Sequence, residues 1–296
     1  MRLVSLLPAG TEIVAALGAA IGETAPTAGN GPRLVGVSHE CDFPPDVRAL
    51  PRVTRTSIDP TWPSGEIDRT VTAARAAGRP AITIDAEIVS QLRPDVVLGQ
   101  SVCDVCAVGD STLAPALATL PTRPLVVMLH AHTLDGVFAD IRRVGHALDL
   151  SDEAEELVAG MRYRLRRLQE RSPMIMAHRV PRTVVLEWLD PPYVAGHWVP
   201  ELVALAGGED VGNVAGARSM RRGWRELLAL APDRVVIALC GFDEARGRRE
   251  VLQLRDDEPR RLFSRGVEFL DGNAYTSRPG PRLVDAAERL ARLIGR

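Results

Sequence analysis

The 296-residue chain is poor in aromatic residues, which make up 4% of it, and it contains only four cysteines. It also lacks a run of about eighteen apolar residues, the length that a membrane-spanning helix needs. Its formal net charge is -2, so it has no excess of positive charge to attract nucleic acid or an anionic membrane surface. We therefore expect neither a nucleic-acid partner nor direct insertion into a membrane.

Several common catalytic patterns are missing as well. No G-x-G-x-x-G follows the first predicted strand, and the chain has no P-loop, G-x-S-x-G or Ser-His-Asp motif. These absences argue against a dinucleotide fingerprint and against the familiar hydrolase and nucleotide-binding sites. The sequence identifies no catalytic residues, and we lean towards a protein without catalytic activity.

The N-terminal residues MRLVSLLP carry one basic residue and a short apolar run, and they lead directly into a helical pattern. A secretory signal has a longer apolar segment and a small-residue cleavage site. We therefore expect a cytoplasmic protein with reduced thiols.

Apolar runs of strand length alternate with helical patterns in two parts of the chain, which favours parallel strands joined by helices. Predicted strands cover residues 3–7, 34–37, 81–84, 96–100, 125–129, 183–187, 234–239 and 267–270, and predicted helices include 112–118, 134–149, 151–171 and 281–293. We predict an α/β protein with an N-terminal lobe at 1–133, a helical connection with a long linking helix at 134–176 and a C-terminal lobe at 177–296.

The four cysteines lie just beyond predicted strands. Open α/β sheets bind ligands outside the carboxyl ends of their strands, so parallel strands would place these thiols at the ligand-binding edge. Thiolates favour zinc or an iron–sulfur cluster over hard cations. The candidate metal ligands are Cys41, Cys103, Cys106, Cys240 and His39.

Other interpretations of the thiols stay open. Free cysteine is often a small buried hydrophobe, and Cys103 and Cys106 could form a reversible disulfide without any metal. His130 and His132 are spare ligand candidates, His132 being the weaker of the two.

Three of the few aromatic residues cluster in the segment EWLDPPYVAGHW, residues 187–198, which we interpret as a proline-rich loop after a strand. Large planar side chains at a cleft suit a large flat ligand, although single aromatic residues also pack into ordinary cores. Arg278 could meet an anionic ligand where the last helix begins. The candidate ligand-binding residues are Trp62, Trp188, Tyr193, Trp198, Phe242 and Arg278.

Three segments carry a resemblance to a known family. They are RLVSLLPAGTE at residues 2–12, LRPDVV at 92–97 and LAPDRV at 230–235, the last two standing before strands at matching places. In these segments the chain resembles the cobalamin-type solute-binding proteins of ABC transporters, the helix-linked class III of periplasmic-binding proteins. The cysteine segments and the N-terminus indicate a cytosolic, cysteine-bearing branch of that family.

The resemblance implies two α/β lobes joined by a single long helix, with the ligand cleft between the lobes. It implies cobalamin or another metal-containing ligand in that cleft, lined by cysteines, a monomer, and an ABC transporter permease as a candidate partner. The alternative is a cytosolic iron–sulfur or zinc protein in which Cys41, Cys103, Cys106 and Cys240 ligate the metal centre. Three thiolates could leave one iron of a cluster open to a substrate, so this second hypothesis includes an enzyme.

Overall fold

The computed structural model describes most of the chain and divides it into two compact units. The described residues are 1–22, 31–101, 113, 117–118, 120–121, 123–171, 180–264 and 266–295. The first unit comprises Met1–Thr61, Arg69–Ala131 and Asp135–Ala159, and the second comprises Trp62–Asp68, His132–Leu134 and Gly160–Arg296.

The first unit is built on a parallel sheet. The elements that lie wholly or mainly in it are, in chain order, β1 (Arg2–Ser5), α1 (Pro8–Ala16), β2 (Ala20–Ile21), β3 (Arg33–Val37), β4 (Thr54–Thr56), α2 (Ser64–Ala76), β5 (Ile82–Ile84), α3 (Ala86–Leu92), β6 (Val96–Gln100), β7 (Leu125–Leu129) and α4 (Leu134–Ala147). The first residues of α2, up to Asp68, and Leu134 of α4 belong to the second unit. Neighbouring strands pair in the order β2-β3-β1-β6-β7, and each of these pairs is parallel.

The central strands of this sheet are buried along their length. Leu3, Val4 and Val97 are fully inaccessible to solvent, and Val4 and Val97 lie in one core cluster with Val35 and Val89. Continuous apolar runs of this kind are typical of parallel strands that are covered on both faces. This explains why β6 has the bounds that its apolar run predicts. The edge strand β7 also has its predicted bounds, although its Leu125 and Val126 are exposed.

A long helix, α5 (Ser151–Arg171), follows α4 and passes from the first unit into the second. In the second unit, Arg164 of α5 pairs with Asp285 and Glu288 through N–O distances of 2.6 and 2.9 Å. No helix in the described part of the chain has the length and apolarity that a membrane span requires.

The second unit contains a mixed sheet. Its elements are β8 (Arg182–Leu189), β9 (Pro192–Val194), α6 (Val199–Leu205), β10 (Glu209–Asp210), β11 (Met220–Arg221), α7 (Trp224–Ala229), β12 (Arg234–Ile237), α8 (Glu244–Gln253), α9 (Asp257–Phe263), β13 (Val267–Phe269), a helical turn at Gly272–Thr276, and α10 (Leu283–Ile294). The strand order is β11-β9-β8-β12-β13, with β10 beside β8. The β8, β12 and β13 strands are parallel, while β9 and β11 are antiparallel to their neighbours.

The structure corrects three predictions of local structure. The strand at 81–84 does not join the parallel sheet, because β5 pairs with β4 in a separate antiparallel sheet. The segment 187–198 is largely not a loop, since β8 extends to Leu189 and turns back into β9. The last helix begins at Leu283, so Pro281 precedes it. The predicted helix at 112–118 falls largely outside the described residues.

Candidate functional site

The carboxyl ends of β8, β12 and β13 meet at one edge of the second unit's sheet, because these three strands run parallel. Trp188 is the penultimate residue of β8, Cys240 and Phe242 follow β12, and Asp271 follows β13. Ligands of open α/β sheets bind at this kind of edge. The second unit therefore has candidate binding residues at the position where the fold favours a site.

An aromatic patch lies at this edge. The ring centroids of Trp188 and Phe242 are 5.3 Å apart and the rings are tilted by 37°. The guanidinium carbon of Arg246 lies 4.9 Å from the centre of the Phe242 ring, and Nη2 of Arg246 donates a 2.6 Å hydrogen bond to the backbone carbonyl of Trp62. We call Trp188, Phe242 and Arg246 the aromatic patch. Trp62 adjoins it through its backbone carbonyl, and both tryptophans are partly exposed.

The buried carboxylate of Glu250 holds the aromatic patch in place. Oε1 of Glu250 lies 2.9 Å from Nε of Arg246, and Oε2 accepts a 3.0 Å hydrogen bond from the backbone N–H of Ser64. The Glu250 side chain is 2% exposed, and burial of a charge at this depth requires pairing. Glu250 thus holds both Arg246 and the segment that carries Trp62, although these parts of the chain are far apart in sequence.

The turn after β13 adjoins the same edge. Asp271 accepts a 2.7 Å hydrogen bond from the backbone N–H of Ala274, and the N–H of Asn273 donates to the carbonyl of Phe242 at 3.1 Å. Nη2 of Arg278 donates to Oδ1 of Asn273 at 2.8 Å. Burial raises the pKa of Asp271, and the neighbouring Asp243 adds to the rise. Arg278 therefore supports the turn through its contact with Asn273.

The remaining two predicted ligand residues have different surroundings. Tyr193 pairs with Trp188 across the β8–β9 ladder and is partly exposed. Trp198 is 6% exposed, and its Nε1–H donates a 2.9 Å hydrogen bond to the carbonyl of Thr276. Arg278 is 4% exposed. A ligand contact for Trp198 and Arg278 stays a prediction, whereas their contacts in the structure hold the turn at Gly272–Thr276.

The candidate metal ligands of the first unit are engaged in its own hydrogen bonds. Sγ of Cys41 lies 3.1 Å from Oγ1 of Thr11, and the thiol is buried. Nδ1 of His39 is 2.7 Å from Oγ1 of Thr54. Burial, followed by the charge of Arg52, lowers the pKa of His39.

Cys240 is partly exposed, and its backbone N–H donates to the carbonyl of Glu187 at 2.9 Å in the second unit. Cys103 and Cys106 lie outside the described residues. Across the residues that are described, no group of three or more His, Cys, Asp or Glu side chains could hold a metal ion. A metal-binding role for the cysteines, as zinc or iron–sulfur ligands, stays a prediction without support from the structure.

Two histidines of the second unit form a pair, of which the sequence indicates only His132, as a weak spare metal ligand. Nδ1 of His132 and Nδ1 of His197 are 3.0 Å apart, and the His197 ring stacks on Trp198 with a centroid distance of 5.5 Å. Burial lowers the pKa of His197 to about 4, with smaller effects of His132 and Arg218 in the same direction. The two residues are 65 positions apart, and no local pattern marks their contact.

Comparison with known proteins gives the family. The model of the periplasmic binding protein family matches residues 3–254. An uncharacterized ABC transporter substrate-binding lipoprotein of Bacillus subtilis, YvrC, is 24% identical over 305 residues, covering 99% of this chain and 79% of that protein.

Solved structures agree in fold. The periplasmic heme-binding protein BhuT, in complex with two hemes, has a TM-score of 0.70 and 22% identity, covering 99% of this chain and 97% of that one. The periplasmic vitamin B12 binding protein BtuF of Vibrio cholerae has a TM-score of 0.66 and 19% identity, covering 99% and 96% of the two chains.

These matches define an α/β protein with the two-lobed fold of class III periplasmic-binding proteins. The chain belongs to the periplasmic binding protein family. The predicted membership is thereby confirmed, but the predicted cytoplasmic location is wrong, because the family is periplasmic and the Bacillus relative is a transporter lipoprotein. The argument for reduced thiols depended on that location and falls with it.

Proposed function

We propose that this chain is the solute-binding protein of an ABC transporter and that its solute is a metal tetrapyrrole, either heme or a cobalamin. The family and the Bacillus relative support the coarser part, a substrate-binding protein that delivers a small molecule to a transporter permease. The heme-bound and vitamin B12-binding neighbours support the choice of ligand class.

The observation that carries the proposal is the aromatic patch at the sheet edge. A tetrapyrrole has a wide flat face, and aromatic rings bind such faces by offset stacking or edge contacts. Trp188 offers its partly exposed ring there, while Phe242 is buried behind it. Because Glu250 neutralises Arg246, the patch presents aromatic surface and aliphatic stem rather than a net charge.

The site is also held in place before any ligand binds. Arg246 connects α8 to Trp62, and Asn273 connects the turn after β13 to Phe242. A preformed site loses less conformational entropy on binding, which favours affinity. This rigidity fits a solute-binding protein.

Replacement of one patch residue tests the proposal. We expect Trp188→Ala to weaken binding of hemin or cyanocobalamin at least about tenfold, as for a central aromatic anchor. The measurement is an absorbance titration of purified protein with each ligand, with circular dichroism to confirm the fold. Trp224→Ala is the matched control, because Trp224 is a partly exposed tryptophan of the same unit whose ring instead contacts Phe263.

The two variants distinguish loss of a specific ligand site from a general loss of ligand binding. Weaker binding in Trp188→Ala with unchanged binding in Trp224→Ala supports the patch as the ligand site. Equal affinities in the wild type and both variants would remove the patch from the binding site.

A further inference from the structure

The histidine pair of the second unit lies outside the aromatic patch and has no part in the function proposed above. Nδ1 of His132 and Nδ1 of His197 face each other at 3.0 Å, with the ring planes inclined by 34°. Both side chains are partly exposed, so an ion from solvent can reach them.

The backbone of His197 is fixed in an unusual conformation. Its φ is 55°, in the left-handed region, which is uncommon outside glycine but which asparagine, aspartate and histidine enter more often than other residues. The N–H of His197 donates to the carbonyl of Ala217 at 2.6 Å, and its carbonyl accepts from Gly216 at 2.9 Å. Strain of this kind persists where the surroundings hold it, and it is concentrated at functional sites.

The segment that carries His132 is anchored by a hydrogen bond of Leu134, two residues further along the chain. Oε2 of Glu201, on α6, accepts a 2.8 Å hydrogen bond from the N–H of Leu134. A Cβ atom at Gly216 would lie 3.3 Å from Thr133, so the turn that hydrogen-bonds to the His197 carbonyl also packs closely against the segment of His132. The backbone segments that carry both imidazoles are therefore held in place by hydrogen bonds and packing.

The nitrogen spacing matches two ligands of one metal ion. Metal–imidazole distances are about 2.0–2.1 Å, so nitrogens 3.0 Å apart subtend an angle of about 95° at a shared ion. That angle suits two adjacent positions of a tetragonal Cu(II) or Ni(II) site better than a tetrahedral one. With the ring protons on Nε2, both Nδ1 lone pairs are free to coordinate, and water completes the coordination.

We propose that His132 and His197 form a two-histidine site for a divalent first-row transition metal ion of the Ni(II) or Cu(II) type. The exposed Arg218 lies near His197, and its positive charge opposes a cation there. The site is consequently of moderate affinity, and removal of this charge should strengthen it.

Isothermal titration with NiCl₂, on protein from which any affinity tag has been removed, tests the site. We expect one Ni(II) per chain, with affinity falling at least about tenfold in His132→Gln and in His197→Asn. Asparagine is chosen at position 197 because it accepts left-handed backbone. His146→Gln is the matched control, since His146 is an exposed histidine of α4, and Arg218→Gln should bind more tightly than the wild type.

The outcomes are decisive. Loss of Ni(II) binding in both pair variants, with folded protein by circular dichroism and unchanged binding in His146→Gln, establishes the site. Absence of binding in the wild type, or equal affinity in the wild type and both variants, overturns it and leaves an N–H···N hydrogen bond between the rings. Neither result depends on tetrapyrrole binding, so this proposal and the proposed function fail independently.

Discussion

Asp210, at the end of β10, is expected to make the stability of the second unit depend on pH. Its Oδ1 accepts hydrogen bonds from the N–H groups of Gly212 and Asn213 at 2.8 and 3.1 Å. Its Oδ2 is buried without a hydrogen-bond partner among the described residues. Burial outweighs the two hydrogen bonds and raises the pKa of Asp210 to about 6 from 3.8.

The sign follows from proton linkage. Between these two pKa values the folded state binds more protons than the unfolded state, so the free energy of unfolding falls as pH rises. The stabilisation is fully present below the unfolded pKa and is lost once the pH passes about 6. A shift of about two units corresponds to about 3 kcal/mol, which is an upper bound for this side chain.

The substitution Asp210→Asn removes the charge and keeps an oxygen acceptor for the two N–H groups. We expect the difference in unfolding free energy between variant and wild type to move in favour of the variant by up to about 3 kcal/mol between pH 4 and pH 8. Urea unfolding at a series of pH values measures this difference. Burying the asparagine amide changes the unfolding free energy by the same amount at each pH, so this contribution cancels when the differences at two pH values are compared.

The neighbouring Glu209→Gln is the matched control, since Glu209 is an exposed carboxylate on the same short strand. Its difference from the wild type should stay nearly constant with pH. A pH-independent difference for Asp210→Asn as well would refute the reasoning.

Two further predictions concern the packing around the sites. Glu250→Gln should lower the free energy of unfolding by about 3–5 kcal/mol, because it removes one partner of a buried ion pair. The control Glu244→Gln removes the exposed pair with Arg248 on the same helix and should lower it by less than about 1 kcal/mol in the same urea unfolding assay. Equal losses in the two variants would contradict the account. Gly196→Ala would place a Cβ 2.5 Å from the backbone of Ala217 and Ser219 and should cost about 1–3 kcal/mol by overpacking. Gly160→Ala, with open space around it in α5, should instead be neutral or stabilising by up to about 1 kcal/mol, and a Gly196→Ala melting temperature at or above that of Gly160→Ala would disprove the close approach.

Sequence reasoning succeeds where the structure is set by local pattern. The strands Val96–Gln100 and Leu125–Leu129 and the helix Ser151–Arg171 have the predicted bounds, because continuous apolar runs and an acidic helix start specify them directly. The β8–β9 hairpin was missed because Pro191 and Pro192 indicate a loop, yet the prolines occupy the turn and the first residue of a strand, positions that proline tolerates. The strand Thr54–Thr56 was missed because three polar residues carry no apolar pattern.

The site is predictable only in part, for a physical reason. The sequence indicates Trp188 and Phe242 by the rarity of aromatic residues and by their places after predicted strands, and Trp62 only as an aromatic residue of a neighbouring loop. It does not identify Arg246, whose contact with Trp62 joins residues 184 positions apart, or the pairing of His132 with His197. Such contacts arise from tertiary packing between distant residues, which produces no periodic pattern in the sequence.

The most direct test of the account is a titration of the purified chain with hemin and, separately, with cyanocobalamin, monitored by the visible absorbance of the ligand. The account predicts saturable binding of at least one of the two with a defined stoichiometry and a dissociation constant in the micromolar range or below. If neither ligand binds saturably to the folded wild-type protein, the chain is not a tetrapyrrole-binding protein, and the aromatic patch must serve another solute.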